Sequence, residues 1–107
     1  MATIDDFQKL NIVVGTVENV EEVAGSEKLY KLAVNIGAEM RQILAGLKPS
    51  CAKDELLGKQ VLIIENLEPR KLMGLESQGM VLAASDENGR PVLIQPAKPV
   101  PNGAKIK

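Results

Sequence analysis

The chain has 107 residues, 45% of them apolar, a formal net charge of −1, one cysteine and no histidine. Size and composition fit one globular domain over residues 1–107 with a single core, and no apolar run is long enough to span a bilayer. Without histidine the usual general acid–base residue and the commonest metal ligand are missing, and Cys51 has no disulfide partner, so no metal site, no cofactor and no catalytic chemistry are expected.

The start, Met1–Asp6, is acidic and lacks a secretory apolar region, which makes the cytoplasm the expected location. Thr3 caps a short helix, with Asp6 three residues on as in a capping box, and Ile4, Phe7 and Leu10 form its apolar face. A first strand is predicted over Ile12–Val20, with Gly15 as a bulge or sharp bend. The loop Glu21–Glu27 ends it. Lys28–Ile36 alternates, setting Tyr30, Leu32, Val34 and Ile36 on one side and Lys31, Ala33 and Asn35 on the other. Gly37 marks a turn to the returning strand Met40–Ala45, and Lys31 and Arg41 on this hairpin are expected to face solvent. Pro49-Ser50 opens a helix through Leu57, stopped at Gly58. Strands follow over Gln60–Leu67 and Met80–Ser85. Asn88-Gly89 signals a two-residue hairpin into Val92–Gln95. Pro96, Pro99 and Pro101 keep the tail out of regular helix or central strand, so it wraps the barrel or joins a subunit contact. Short strands with one helix after the third, and no internal repeat, fit an all-β, five-stranded Greek-key barrel of the OB type, among other small β folds.

Charge is unevenly spread: residues 1–30 sum to −4, residues 31–80 to +1 and residues 81–107 to +2. The most informative stretch is Asn66–Ala84, a polar loop held between two aliphatic strands, so that its side chains are pre-positioned. Arg70 offers a planar fork for phosphate and Lys71 a compact charge; paired with Glu68 or Glu76 they would be ordinary surface charges. Ser77 and Gln78 suit phosphate or the ribose 2′-OH, and Ser77 suits its own loop backbone equally well. Asn66 has the same two readings, with turn stabilisation ahead. Met80 reads as core. Lys28, Lys31 and Arg41 are further candidates, since strands two and three form the usual oligonucleotide surface of an OB barrel. Phe7 and Tyr30 are the only aromatic residues, and Tyr30 reads as core. A stacking platform for single strands is thus nearly absent, which favours recognition of a folded RNA by shape and backbone.

The blocks Asn66-Leu67-Glu68-Pro69-Arg70-Lys71 and Gly74-x-x-Ser77-x-Gly79-Met80, with Val23–Leu29, Asp6-Phe7-x-Lys9-Leu10-x-Ile12 and Pro101-x-Gly103, resemble the tRNA-binding domain appended to bacterial methionyl-tRNA synthetases and found alone as a small dimeric tRNA-binding protein. The resemblance covers nearly the whole chain. It implies an OB-fold core with a C-terminal extension, a homodimer, and tRNA as partner. The module would serve the catalytic part of methionyl-tRNA synthetase in cis or in trans, without catalysis of its own. Related small OB-fold dimers include an export-associated, chaperone-like protein that binds polypeptide, and a purely dimerising role is the third reading. The chain departs from the family in its first strand. Relatives often carry Asp-x-Arg-Val-Gly-Lys where this sequence reads Asn11-Ile12-Val13-Val14-Gly15-Thr16. Two positive charges are missing, at Val13 and Thr16. Weaker or more salt-sensitive binding, or a surface shifted towards Arg70 and Lys71, is expected.

Overall fold

A computed structural model describes residues 1–107. In chain order the elements are α1 (Ile4–Gln8), β1 (Ile12–Glu22), β2 (Tyr30–Asn35), β3 (Met40–Ala45), α2 (Lys53–Leu56), β4 (Gln60–Ile64), β5 (Arg70–Leu72), β6 (Leu75–Ser77), β7 (Met80–Val81), β8 (Ala83–Ser85) and β9 (Pro91–Leu93). Alternation drives the architecture. Tyr30, Leu32, Val34 and Ile36 are all buried, and the residues between them are not. β2 pairs antiparallel with β3, from Tyr30 opposite Ala45 to Asn35 opposite Met40. β1 is long enough to serve two partners: Ile12–Thr16 pair with β4 and Thr16–Glu22 with β2. The five-stranded sheet runs β3-β2-β1-β4-β7 and curls into an antiparallel, nearly closed barrel of the OB type. Val13, Val17 and Val20 of β1, Ile43 of β3, Leu56 of α2 and Val61 and Ile63 of β4 fill its interior. Each such side chain stabilises the fold by roughly 1.5–3 kcal/mol relative to exposure.

Gly15 is a different device from the one its sequence position suggests. The register irregularity falls between Val17 and Asn19, whereas a Cβ on Gly15 would lie 2.6 Å from Val34 Cγ1. Glycine there lets β2 pack against β1. The predicted Pro49–Leu57 helix shrinks to Lys53–Leu56. Residues 47–51 turn instead, with both Ser50 N and Cys51 N donating to Leu47 O. The Cys51 carbonyl accepts the Tyr30 hydroxyl at 2.8 Å, which satisfies that polar tip inside the core. The predicted strand Met80–Ser85 changes partners midway, its first part pairing with β4 and its second with β9. Between β8 and β9 the turn spans residues 86–90 rather than Asn88-Gly89 alone. The Asp86 carboxylate accepts from Asn88 N and Arg90 N and so builds it.

The tail wraps the barrel. Gly103 N donates to Val14 O, Val14 N to Ala104 O, and Ile106 N to Ile12 O, at 2.7–2.9 Å. It thereby occupies the edge of β1 that β2 does not reach. The two family departures face it: Val13 is buried opposite Lys105, and the Thr16 hydroxyl donates to Asn102 Oδ1 at 2.7 Å. α1 carries the predicted capping box, with Asp6 N donating to Thr3 Oγ1 and Thr3 N to Asp6 Oδ2.

Candidate nucleic-acid interface

The loop between β4 and β7 holds a hairpin that the sequence reading did not resolve. β5 and β6 pair with Arg70 opposite Ser77, Lys71 opposite Glu76 and Leu72 opposite Leu75. Met73 at φ 52° and Gly74 at φ 78° make the two-residue turn. A left-handed methionine costs about 1 kcal/mol. Its methyl meets a partner: Met73 Cε lies 3.3 Å from where a Cβ on Gly25 would stand. The hairpin tip therefore rests on the β1–β2 loop, and two segments singled out separately in the sequence, Val23–Leu29 and Asn66–Met80, become neighbours.

Strand pleating separates the two leading cations. Arg70 shares a face with Leu72 and lines a small cleft with Leu44, Leu67 and Met80, while Lys71 lies on the opposite face, across from Glu76. Both are exposed, as is Lys28 on the β1–β2 loop. None of the three stands in any of the chain's ion pairs. The remaining cations near the barrel face are engaged. Lys31 Nζ is 2.9 Å from Glu21, and Lys48 Nζ is 2.8 Å from Glu22, which also faces Lys53 at 3.9 Å. The hydrogen bond and charge of Lys48 hold the Glu22 carboxyl below its ordinary range, and Glu22 in turn pushes the Lys48 ammonium up. Burial pushes the Cys51 thiol up.

Arg41 differs from the expectation of a solvent-facing cation. Its Nη1 donates to Glu65 O at 2.8 Å and to Gln78 O at 3.1 Å, and Glu39 takes Nε and Nη2 at 3.3 Å. Ser77, Gln78 and Asn66 are likewise tied to the fold. Ser77 is only 5% exposed; its hydroxyl accepts Leu44 N at 3.0 Å and donates to Gly79 O at 3.1 Å. Gln78 N donates to Gln42 O while the Gln78 side-chain carbonyl accepts Gln42 N, reproducing the two bonds of a strand pair. These bonds close the seam between β3 and the β6–β7 segment. Asn66 clasps the N-terminal region, accepting from Asn11 N and donating to Lys9 O. Gly79 at φ 143° lets the chain pass close to β4 as it enters β7, since a Cβ there would lie 2.9 Å from Ile64 O. Met80, read as core, is exposed because its neighbour Val81 takes the inward position. Sequence reasoning missed Met73 and Gly25; the Met-Gly pair between two three-residue strands was the available sign.

An OB-type barrel with free cations on a β1–β2 loop and an adjoining hairpin has the form of a small nucleic-acid-binding module. The chain matches the family model described as "Putative tRNA binding domain" over residues 12–105, and it belongs to that family. It is 45% identical to a methionine–tRNA ligase of Caldanaerobacter subterraneus subsp. tengcongensis over 97% of this chain, and spans 16% of that relative's length. Among solved structures it superposes on a MetRS related protein from Pyrococcus horikoshii with a TM-score of 0.94 and 37% identity, covering 100% of this chain and 98% of that one. The chaperone CsaA of Bacillus anthracis is also similar, with a TM-score of 0.90 and 32% identity over 100% and 99% of the two chains.

Proposed function

We propose that this chain is a non-catalytic tRNA-binding module that acts as a homodimer in the cytoplasm and retains or delivers tRNA for the catalytic part of methionyl-tRNA synthetase, in cis or in trans. The observation that carries the reading is the joining of Lys28, Arg70 and Lys71, all exposed and unpaired, on two loops fixed to each other through Met73 and Gly25. Cations without carboxylate partners are free to displace counterions from phosphate. Because Arg70 and Lys71 lie on opposite hairpin faces, they engage different phosphates, so the hairpin sits between backbone segments of a folded RNA. Asn66, Ser77, Gln78 and Arg41 support this surface by holding hairpin and seam in place, while Lys31, neutralised by Glu21, adds little to it. A second, weak contact to a tRNA multiplies the affinity of the enzyme it serves through effective concentration. For the dimer, α1 buries none of its residues, leaving Ile4 and Leu10 exposed beside Phe7 and Ile106. A second copy is the occupant proposed for that face.

The test is a titration with unfractionated tRNA at 50 and 200 mM salt. With three or four phosphates engaged, binding weakens on the order of 10²-fold between the two conditions. The Arg70→Ala/Lys71→Ala variant is expected to bind more weakly, with a salt slope shallower by roughly 2. Absence of binding at 50 mM salt removes the tRNA reading. The likeness to CsaA favours one alternative, binding of polypeptide, which predicts affinity insensitive to salt and to that double substitution. Dimerisation without tRNA affinity is the third outcome.

A further inference from the structure

The turn that closes the β5–β6 hairpin is an unusual place for a methionine. Met73 stands at φ 52°, where asparagine or glycine would be less strained. Its side chain offsets that cost by its seat on Gly25. Gly25 is itself left-handed at φ 81°, and its missing side chain leaves the space that Met73 Cε fills, 3.3 Å from where a Cβ would stand. Both halves of the contact are held in backbone conformations that few residues adopt. The loop that receives the methyl is internally braced. Ser26 Oγ accepts Lys28 N at 3.2 Å and Leu29 N at 3.0 Å, and Lys48 N donates to Lys28 O at 3.1 Å. The position of Lys28 therefore depends on where Gly25 is held. Met73 is also 55% exposed at the hairpin tip, which opens its thioether to small oxidants. Met40 and Met80 are each 47% exposed, but neither joins the two loops: Met40 opens β3, and Met80 lines the cleft beside Arg70.

We propose that Met73 is a reversible oxidation site: hydrogen peroxide converts its thioether to the sulfoxide, which leaves its seat on Gly25 and uncouples the Lys28 loop from the Arg70–Lys71 hairpin. In the step, a sulfur lone pair attacks one peroxide oxygen, the O–O bond breaks and an S–O bond forms. The second oxygen departs as water with both protons. Sulfur is oxidised by two electrons, and the peroxide is reduced by the same two. The product is polar and chiral where the thioether was apolar, so packing against a glycine backbone costs it contact with water. Release of the loop stands on the geometry alone. Its consequence, weaker RNA binding, rests on the tRNA reading above.

The experiment treats the RNA-free protein with hydrogen peroxide and locates the oxidised residues by peptide mass. Hydrogen exchange over residues 23–29 is expected to rise in oxidised wild type. It is expected to stay unchanged in peroxide-treated Met73→Leu, which keeps an apolar side chain and has no sulfur to oxidise. Met73→Gln, polar without any oxidant, is expected to exchange as oxidised wild type does. Affinity for unfractionated tRNA at 50 mM salt falls on oxidation by roughly three- to ten-fold, the cost of ordering a freed loop during binding. It is regained with the two methionine sulfoxide reductases and a thiol reductant. In Lys28→Ala the same oxidation is expected to change affinity by less than about two-fold, because the cation it frees is already gone. Met73 left unmodified while Met40 and Met80 are oxidised overturns the proposal, as does unchanged exchange over residues 23–29 once Met73 is oxidised. An equal loss of affinity in peroxide-treated Met73→Leu assigns the effect to another methionine and also overturns it. A full loss in Lys28→Ala overturns the uncoupling of that loop. If wild type does not bind tRNA at 50 mM salt while exchange still rises on oxidation, the tRNA reading falls and the oxidation site stands.

Discussion

The β1–β3 face and the β5–β6 hairpin carry the same kinds of cation in opposite states. Around these strands, Lys31, Arg41 and Lys48 each lie against a glutamate, Glu21, Glu39 and Glu22 respectively. On the hairpin, Arg70 and Lys71 have no carboxylate within ion-pairing distance, although Glu76 stands directly opposite Lys71. A count of basic residues treats the two regions alike. What separates them is whether a charge has already been neutralised by its own chain, and a net charge of −1 is therefore compatible with a local surface that attracts phosphate.

The comparison breaks most severely if the seam fails. Ser77→Ala leaves the buried Leu44 N–H without its acceptor, an expected loss of about 2 kcal/mol and on the order of 10 °C in Tm, measured by thermal unfolding. A variant as stable as wild type would mean the seam does not hold the hairpin. Next in size is Gly25→Ala. Gly25 sits at φ 81° with Met73 against it, so the substitution costs roughly 1–2 kcal/mol and loosens the loop from the hairpin tip. tRNA affinity is expected to fall with it while the Arg70 and Lys71 charges remain. Unchanged affinity would show that the two loops act independently.

Smaller effects sharpen the contrast. Lys31→Ala is expected to change tRNA affinity by no more than about two-fold, because Glu21 already takes that charge. Glu21→Gln releases Lys31 and is expected to strengthen binding by a few-fold at 50 mM salt, an effect erased at higher salt. Equal losses from Lys31→Ala and Lys71→Ala would collapse the distinction between face and hairpin. The slightest effect concerns pH. The Glu22 carboxyl is lowered by Lys48, so its contribution is present above its unfolded pKa and is lost as pH falls through the folded one. Glu22→Gln should therefore narrow its stability gap to wild type below about pH 4 and keep it at pH 7, in acid unfolding curves.

Much of the barrel was legible because burial imposes period two. Lys28–Ile36 was placed by alternation, Met40–Ala45 by the turn at Gly37, and the capping box marked α1. The hairpin was not, because strands of three residues are shorter than any periodic signal, and its turn uses a methionine where asparagine or glycine would announce it. Arg70 and Lys71 could be singled out and are exposed in the fold. The states of Arg41, Asn66, Ser77 and Gln78 were hidden because each has partners remote in sequence: Glu65 and Gln78 for Arg41, Lys9 and Asn11 for Asn66, Leu44 for Ser77, Gln42 for Gln78. Polar residues suited to a ligand suit a distant carbonyl equally, and only the closed barrel decides between them.

The tail has a bearing on how this chain is made. Residues 103–106 complete the edge of residues 12–14, nearly the whole chain apart. During synthesis the first strand can acquire β2, β3 and β4 in turn, yet its outer edge stays open until residues 103–106 have left the ribosome. For that interval the nascent barrel presents unpaired backbone beside an apolar strand, a state prone to mispairing with another chain. The proline-rich segment that delivers residues 103–106, restricted in φ before it docks, shortens the search by which the edge is sealed.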